Sequence, residues 1–180
     1  MQERLLYTIH MSSEQSYPKA NALNLSKQDV FKKAEQIAME LGYSIAGDLS
    51  TIVTKLGGSI EYVNLEKWYK TQDASIVVHA PDNFQIYISN FTGFLRNRFS
   101  IAHELGHYFL HSNRGEKQIQ AARSGSDKCE WEANWFAAAF LMPNDKFKEI
   151  HKKYSGDMDF VAAHFLVSRK AADVRYQSIN

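Results

Sequence analysis

A chain of 180 residues is the length of one domain with room for a small appendage. Apolar residues make up 44% and charged residues 23%, a globular composition that excludes a wholly disordered or collagen-like chain. Lys and Arg number 21 against 20 Asp and Glu, a net charge of +1 without the basic excess of a chain built mainly to hold nucleic acid. The single cysteine, Cys129, excludes an internal disulfide framework and a multi-cysteine zinc site. The apolar run Phe136–Met142 is far shorter than the roughly 20 residues that span a bilayer. The first residues, MQERLLYTIHMSSEQSYP, have no sustained apolar stretch and no small-residue cleavage site, so the expected location is the cytoplasm.

Residues 1–22 are polar, show no sustained period, and read as an extension with little core content. From Ser26, a cap, apolar residues recur at three- and four-residue steps (Val30, Phe31, Ala34, Ile37, Ala38, Leu41), which predicts a helix ended by Gly42. A second short helix is expected over Leu49–Leu56, closed by Gly57-Gly58. Strand formers follow at 59–63, 75–79 and 84–91. The turn residues Pro81-Asp82-Asn83 predict that the last two pair as an antiparallel hairpin. The connection LEKWYKTQDA reads as helical or irregular. A helix is expected from about Asn97 to His111, then a surface loop over 112–128. An apolar helix follows from about Asp127 to Met142, stopped by Pro143. Asn144 or Asp145 can cap a further helix to Tyr154, and two short helices complete the tail. Strands between two helical regions make an α+β fold, with a small antiparallel or mixed sheet packed on helices and a helical C-terminal segment.

The strongest chemical signal is His103-Glu104-Leu105-Gly106-His107. Residues four apart lie on one helix face, so both imidazoles can address one metal ion, with Glu104 beside it to take a proton from water. Two neutral imidazoles suit zinc, with manganese or iron as alternatives. Chance alone supplies about 0.02 such matches in a chain of this composition.

A catalytic zinc takes three protein ligands and keeps one open position. The longer pattern with Gly at 110 and His at 113 is excluded, because those positions hold Leu110 and Asn113. His111 continues the four-residue step, but three histidines on one straight helix span about 12 Å and cannot all reach one ion. The third ligand is instead expected in CEWEANWFAAAFLMP, where two carboxylates stand in an apolar stretch. Glu132 shares its face with Trp135, Phe136 and Ala139, and Glu130 shares its face with Asn134, Ala137 and Leu141. Spacing does not choose between them.

HELGH followed by EWEANWFAAAFLMP resembles the ImmA/IrrE metallopeptidases, which have a gluzincin-like site, and the resemblance covers roughly residues 25–177. The Gly-Gly step, the Ile-Tyr-Ile strand and the segment FLVSRKAADVRY are also similar to that family's usual order. The resemblance implies His103, His107 and Glu132 as metal ligands and Glu104 as general base. It also implies a helix-turn-helix repressor as partner or substrate, in mobile-element or stress regulation. The implied organisation is an extension over 1–22, a zincin-like metallopeptidase core over 23–144 and a helix-turn-helix-like segment over 145–180.

The expected chemistry is hydrolysis of a peptide bond, with the strand Phe84–Ile88 offering its edge to an extended substrate. His111, His151, Tyr154 and His164 are candidates for the oxyanion donor. Cys129 reads as a buried thiol, with redox regulation or inhibition of the metal as the sharper alternative. Two other functions are open. One is DNA binding through the C-terminal helices, although residues 145–180 hold seven Lys and Arg against five acids, a thin surplus. The other is a non-proteolytic sensor with a closed structural metal site.

Overall fold

The computed structural model describes residues 17–70, 75–121 and 127–179. Helix α1 (Lys27–Glu40) begins where Ser26 Oγ accepts the Asp29 N–H, and it buries Val30, Phe31, Ala34 and Ala38, the expected stripe. Helix α2 (Leu49–Lys55) is capped by Asp48, whose carboxylate accepts the N–H groups of Ser50 and Thr51. Strand β1 (Gly58–Val63) follows, then the short α3 (Leu65–Lys70), β2 (Ile76–Ala80) and β3 (Asn83–Ser89). Gly57 stands at φ +77°, and a Cβ there would collide with the carbonyl oxygen of Asp82, so glycine is what lets β1 start against the β2–β3 turn.

The sheet order is β1-β3-β2-β4, with β1 parallel to β3 and the other pairs antiparallel, so the sheet is mixed. Along β3 the side chains of Phe84, Ile86 and Ile88 are buried and those of Gln85 and Tyr87 are half-buried, the alternation that the sequence predicts. The expected hairpin is present, with a register shift between Val78 and Ala80. Two expectations are corrected here. Strand β3 pairs on both sides, with β1 and with β2, so it has no free edge for a substrate. Part of the expected surface loop is β4 (Ile119–Ala121), which pairs with β2. A strand of three residues carries too little sequence to show a period.

Helix α4 (Phe94–Gly106) starts three residues before the expected Asn97. Asn97 instead donates through Nδ2 to the Ser89 carbonyl at 3.0 Å and so ties α4 to the end of β3. After Gly106 the helix widens over His107–His111 into one turn closed by Ser112 N–H to the His107 carbonyl, a five-residue step. Helix α5 (Lys128–Leu141) packs on both α4 and α1. Next come α6 (Asn144–Lys153), α7 (Met158–Phe165) and α8 (Arg169–Ile179). Pro143, before α6, offers no side-chain cap; the Asn144 N–H is taken instead by Glu35 Oε1 at 2.9 Å.

One apolar core runs through all of this, from Val30 and Phe31 through Ile86 and Phe136 to Phe147, Phe165 and Ala172. The C-terminal helices are therefore part of the same packing unit as the strands. Residues 1–16 of the expected extension lie outside the described residues. Residues 17–22 are docked: Gln120 N–H donates to the Pro18 carbonyl, Ala20 N–H donates to the Gln120 carbonyl, and the Tyr17 hydroxyl meets His79 Nδ1 at 2.7 Å. Backbone pairing needs no apolar period, which is why this contact left no trace in the residue pattern. No described helix is long and apolar enough to cross a membrane.

Candidate active site

On α4, His103 and His107 sit one turn apart and their Nε2 atoms lie 3.2 Å from each other. Glu104, between them in sequence, is buried, and its Oε2 takes a hydrogen bond from Ser75 Oγ at 3.0 Å. The acid that joins the two imidazoles comes from the first turn of α5. Glu130 places Oε2 3.2 Å from His103 Nε2 and Oε1 3.3 Å from His107 Nε2. The N–H of Glu130 is held by the cap residue Asp127 at 3.0 Å, which sets the start of α5 and thereby the height of this carboxylate.

Glu132, implied as ligand by the motif resemblance, does not join them. It is fully buried and accepts the N–H groups of Leu23 at 2.9 Å and Leu25 at 2.8 Å, and His111 Nε2 at 3.1 Å. Two residues along a helix is a rotation of about 200°, so Glu130 meets the Nε2 atoms of His103 and His107 while Glu132 meets His111, on the Nδ1 side of His107.

These contacts assign the protons. His111 donates through Nε2 to Glu132, so its Nδ1 is an acceptor, and it meets His107 Nδ1 at 2.9 Å. His107 therefore carries its proton on Nδ1 and a lone pair on Nε2. His103 Nδ1 donates to Asn134 Oδ1 at 3.0 Å, so in the neutral ring its Nε2 is likewise a lone pair. Two imidazole lone pairs and a carboxylate then converge within 3.3 Å. Such a set of acceptors is repulsive unless a proton or a cation lies among them, and its chemistry suits a borderline metal such as zinc.

The electrostatics fit this arrangement. Burial pushes His107 down to about 4, so it is neutral at ordinary pH. Burial also opposes the charge on Glu130, yet the two imidazole rings beside it hold it down at about 2, ionised. Burial works against a charged His103 too, but Glu130 and Glu104 outweigh it and raise that group above its ordinary value. Cys129 is buried with Sγ 3.9 Å from His107 Nδ1, and burial with the nearby acids drives its thiol up to about 12, so it is an inert neutral group. His107, His111 and Cys129 are close enough to form a second metal cluster, but that cluster uses the Nδ1 side of His107, which already bonds His111.

The site opens into a cleft of about 280 Å³, walled by the end of β3, the start of α4 and the first turns of α5. Of the four oxyanion candidates, His111 lies behind His107, away from the cleft. His151 stacks on Tyr176, while Tyr154 stacks on Phe160 and packs against His164, on α6 to α8. None of the four lines the cleft; Arg96 and Tyr87 do. The sequence reading missed Ser75 and the contact of Asn134 with His103. The available signal was the four-residue step from Glu130 to Asn134, a ligand-capable acid and a hydrogen-bonding partner on one face.

Residues 62–177 match the peptidase M78 family model, described as the IrrE N-terminal-like domain. The metallopeptidase ImmA of Bacillus subtilis (strain 168) is 30% identical over 102 residues, 56% of this chain and 59% of that protein. The chain thus spans well under two thirds of that relative. A solved Mycobacterium tuberculosis transcriptional regulator superposes with a TM-score of 0.53 at 18% identity, over 81% of this chain and 45% of the other, a likeness of fold alone.

Proposed function

Because this chain belongs to the peptidase M78 family of IrrE N-terminal-like domains, we propose that it is a metal-dependent endopeptidase whose substrate is a helix-turn-helix repressor. The observation that carries the reading is the meeting of His103, His107 and Glu130 beside the buried carboxylate of Glu104. In this reading His103, His107 and Glu130 would hold zinc, with manganese or iron as alternatives, and Glu130 takes the place that motif resemblance gives to Glu132. Zinc, when bound, acidifies water and polarises a carbonyl. The repressor as target rests on the resemblance of the HELGH and EWEAN segments.

The chain's own residues divide the remaining work. Glu104 takes the proton of the attacking water on a carboxylate oxygen and returns it to the leaving amine nitrogen. Ser75 donates to Glu104 Oε2 and keeps that carboxylate turned into the cleft. Asn134 and the pair His111–Glu132 hold the two imidazoles with their Nε2 lone pairs inward. Arg96 at the cleft wall is placed to bind a carbonyl or carboxylate of the substrate.

The test is metal content by atomic emission together with cleavage of a co-expressed repressor, read by mass spectrometry of fragments. Glu104→Gln is expected to keep its zinc and lose cleavage. Glu130→Ala is expected to lose both. Retained cleavage in the first variant removes the base assignment, and full zinc occupancy in the second returns the third ligand to Glu132 or another acid.

A further inference from the structure

Beside the catalytic cleft runs a larger groove of about 870 Å³, bounded by α1, α4, α5 and α8. Its floor is apolar and aromatic: Phe31, Phe99, Trp131, Trp135, Ala138 and Val174. Trp131 is 51% exposed and Val174 55% exposed, unusual for side chains of this kind grouped in one trough. The rim has one sign of charge. Lys27, Arg96 and Lys170 are the charged residues that line it, and no acid does. A further cation, the Lys128 ammonium, lies 4.6 Å from the centre of the Trp135 ring.

The groove adjoins the cleft, because Arg96, Phe99, Ser100 and Asn134 line both. The cleft contains the carboxylates Glu104 and Glu130, whereas the groove offers none. A polypeptide that enters the cleft and continues along the surface thus passes from an acidic, polar end into an apolar trough with a basic rim. Pockets of roughly 300–1,000 Å³ enclose drug-sized ligands, so this one has room for several side chains. Large aromatic side chains in such a floor are the usual anchors of protein recognition, and the rim supplies charge selection.

We propose that this groove binds the stretch of polypeptide substrate adjoining the scissile bond, and that it selects a segment of large apolar residues flanked by Asp or Glu. The proposal rests on the peptidase reading above, which supplies the reason for a polypeptide to lie in the cleft. The apolar side chains fill the space over Trp131, Trp135 and Phe99. The acidic side chain meets Arg96 at the junction or Lys170 and Lys27 along the rim.

The test uses zinc-loaded Glu104→Gln protein and two dye-labelled synthetic peptides of equal length and identical Leu and Ala positions, one carrying Glu and the other Lys between them. Fluorescence anisotropy is expected to show the Glu peptide binding about tenfold more tightly, a preference that shrinks with salt. The double charge reversal Lys27→Glu with Lys170→Glu is expected to reduce that preference to about threefold or less. Trp131→Ser, an exposed position whose loss leaves the core intact, is expected to weaken both peptides. Equal binding of the two peptides, or a preference that survives charge reversal, overturns the proposal. So does a duplex oligonucleotide that binds more tightly than the Glu peptide. Wild-type protein is then given the Glu peptide. Selective binding without cleavage would sink the peptidase reading and leave the groove assignment standing, whereas cleavage of both peptides alike would do the reverse.

Discussion

Asn134 and Glu132 face opposite sides of α5 and yet serve the same end. Each fixes the ring tautomer of one histidine, Asn134 directly on His103 and Glu132 through His111 on His107. Removal of such partners typically lowers metal affinity about 10–100-fold. Asn134→Ala is therefore expected to weaken zinc binding by that order in a competition titration with a chelator, with little change in melting temperature, because residue 134 is exposed. Glu132→Ala should behave differently. It leaves the N–H groups of Leu23 and Leu25 and His111 Nε2 without their acceptor. Each buried orphan costs about 1–3 kcal/mol, so the variant is expected to lose stability in urea as well as zinc affinity. Unchanged stability in Glu132→Ala would mean that the segment 23–25 is not held by this carboxylate.

At the scale of elements, the close approach of α4 and α5 controls whether Glu130 can reach the imidazoles. A Cβ on Gly106 would stand 3.1 Å from Ala133 Cα and 3.2 Å from its carbonyl oxygen, so neither neighbour can rotate away. Gly106→Ala gains up to about 1 kcal/mol of helix propensity. Overpacking against backbone costs about 1–3 kcal/mol, so the net expectation is a less stable protein with weakened zinc binding. A melting temperature at or above wild type would show that the helices can separate without cost. Helix α2 gives a pH-dependent case. Hydrogen bonds from Ser50 and Thr51 hold the Asp48 carboxyl at about 2, below its ordinary 3.8. A folded value below the unfolded one stabilises the protein above about pH 4, and that contribution is lost as the pH falls toward 2. Asp48→Asn is expected to flatten this part of the pH–stability curve measured by circular dichroism. The π-type turn at 107–111 belongs to the same scale. The straight-helix argument against His111 as a ligand of the same ion stands, but the widened turn lets its ring meet His107 and gives it an orienting role.

For the whole molecule, the question is whether the C-terminal helices are a separable module. Arg175 is fully buried, donates through Nε to the Met142 carbonyl at 2.9 Å, pairs with Glu35 at 2.8 Å, and lies over the Phe31 ring. It clamps α8 to α1 and to the end of α5. Arg175→Ala leaves the Met142 carbonyl without its donor and the partly exposed Glu35 without its cation, expected to cost about 2–3 kcal/mol in a denaturant titration. Stability within about 1 kcal/mol of wild type would show that α8 contributes little to the core. The same contacts weigh against DNA recognition by this segment, since Arg175 is inside and Arg169 is engaged by Asp159 and Asp173.

Local chemistry was legible without coordinates. The cap at Ser26, the alternation in β3 and the four-residue step of HELGH depend on neighbours in the chain, and short-range sterics and hydrogen bonds settle such features. The choice between Glu130 and Glu132 was of another kind. The apolar residues of α5, Cys129, Ala133, Leu141, Trp131, Trp135 and Phe136, are distributed around its circumference, so apolar periodicity marks no inward face. Its rotation is set by what it packs against: α4 on one side, α1 and the segment 23–25 on the other. The docking of residues 17–20 on β4 and the adjacency of groove and cleft likewise depend on contacts between segments far apart in the chain. The sequence by itself determined that two imidazoles and a neighbouring carboxylate share a helix. Only tertiary packing decided which second carboxylate meets them, because that depends on how one helix is turned against another.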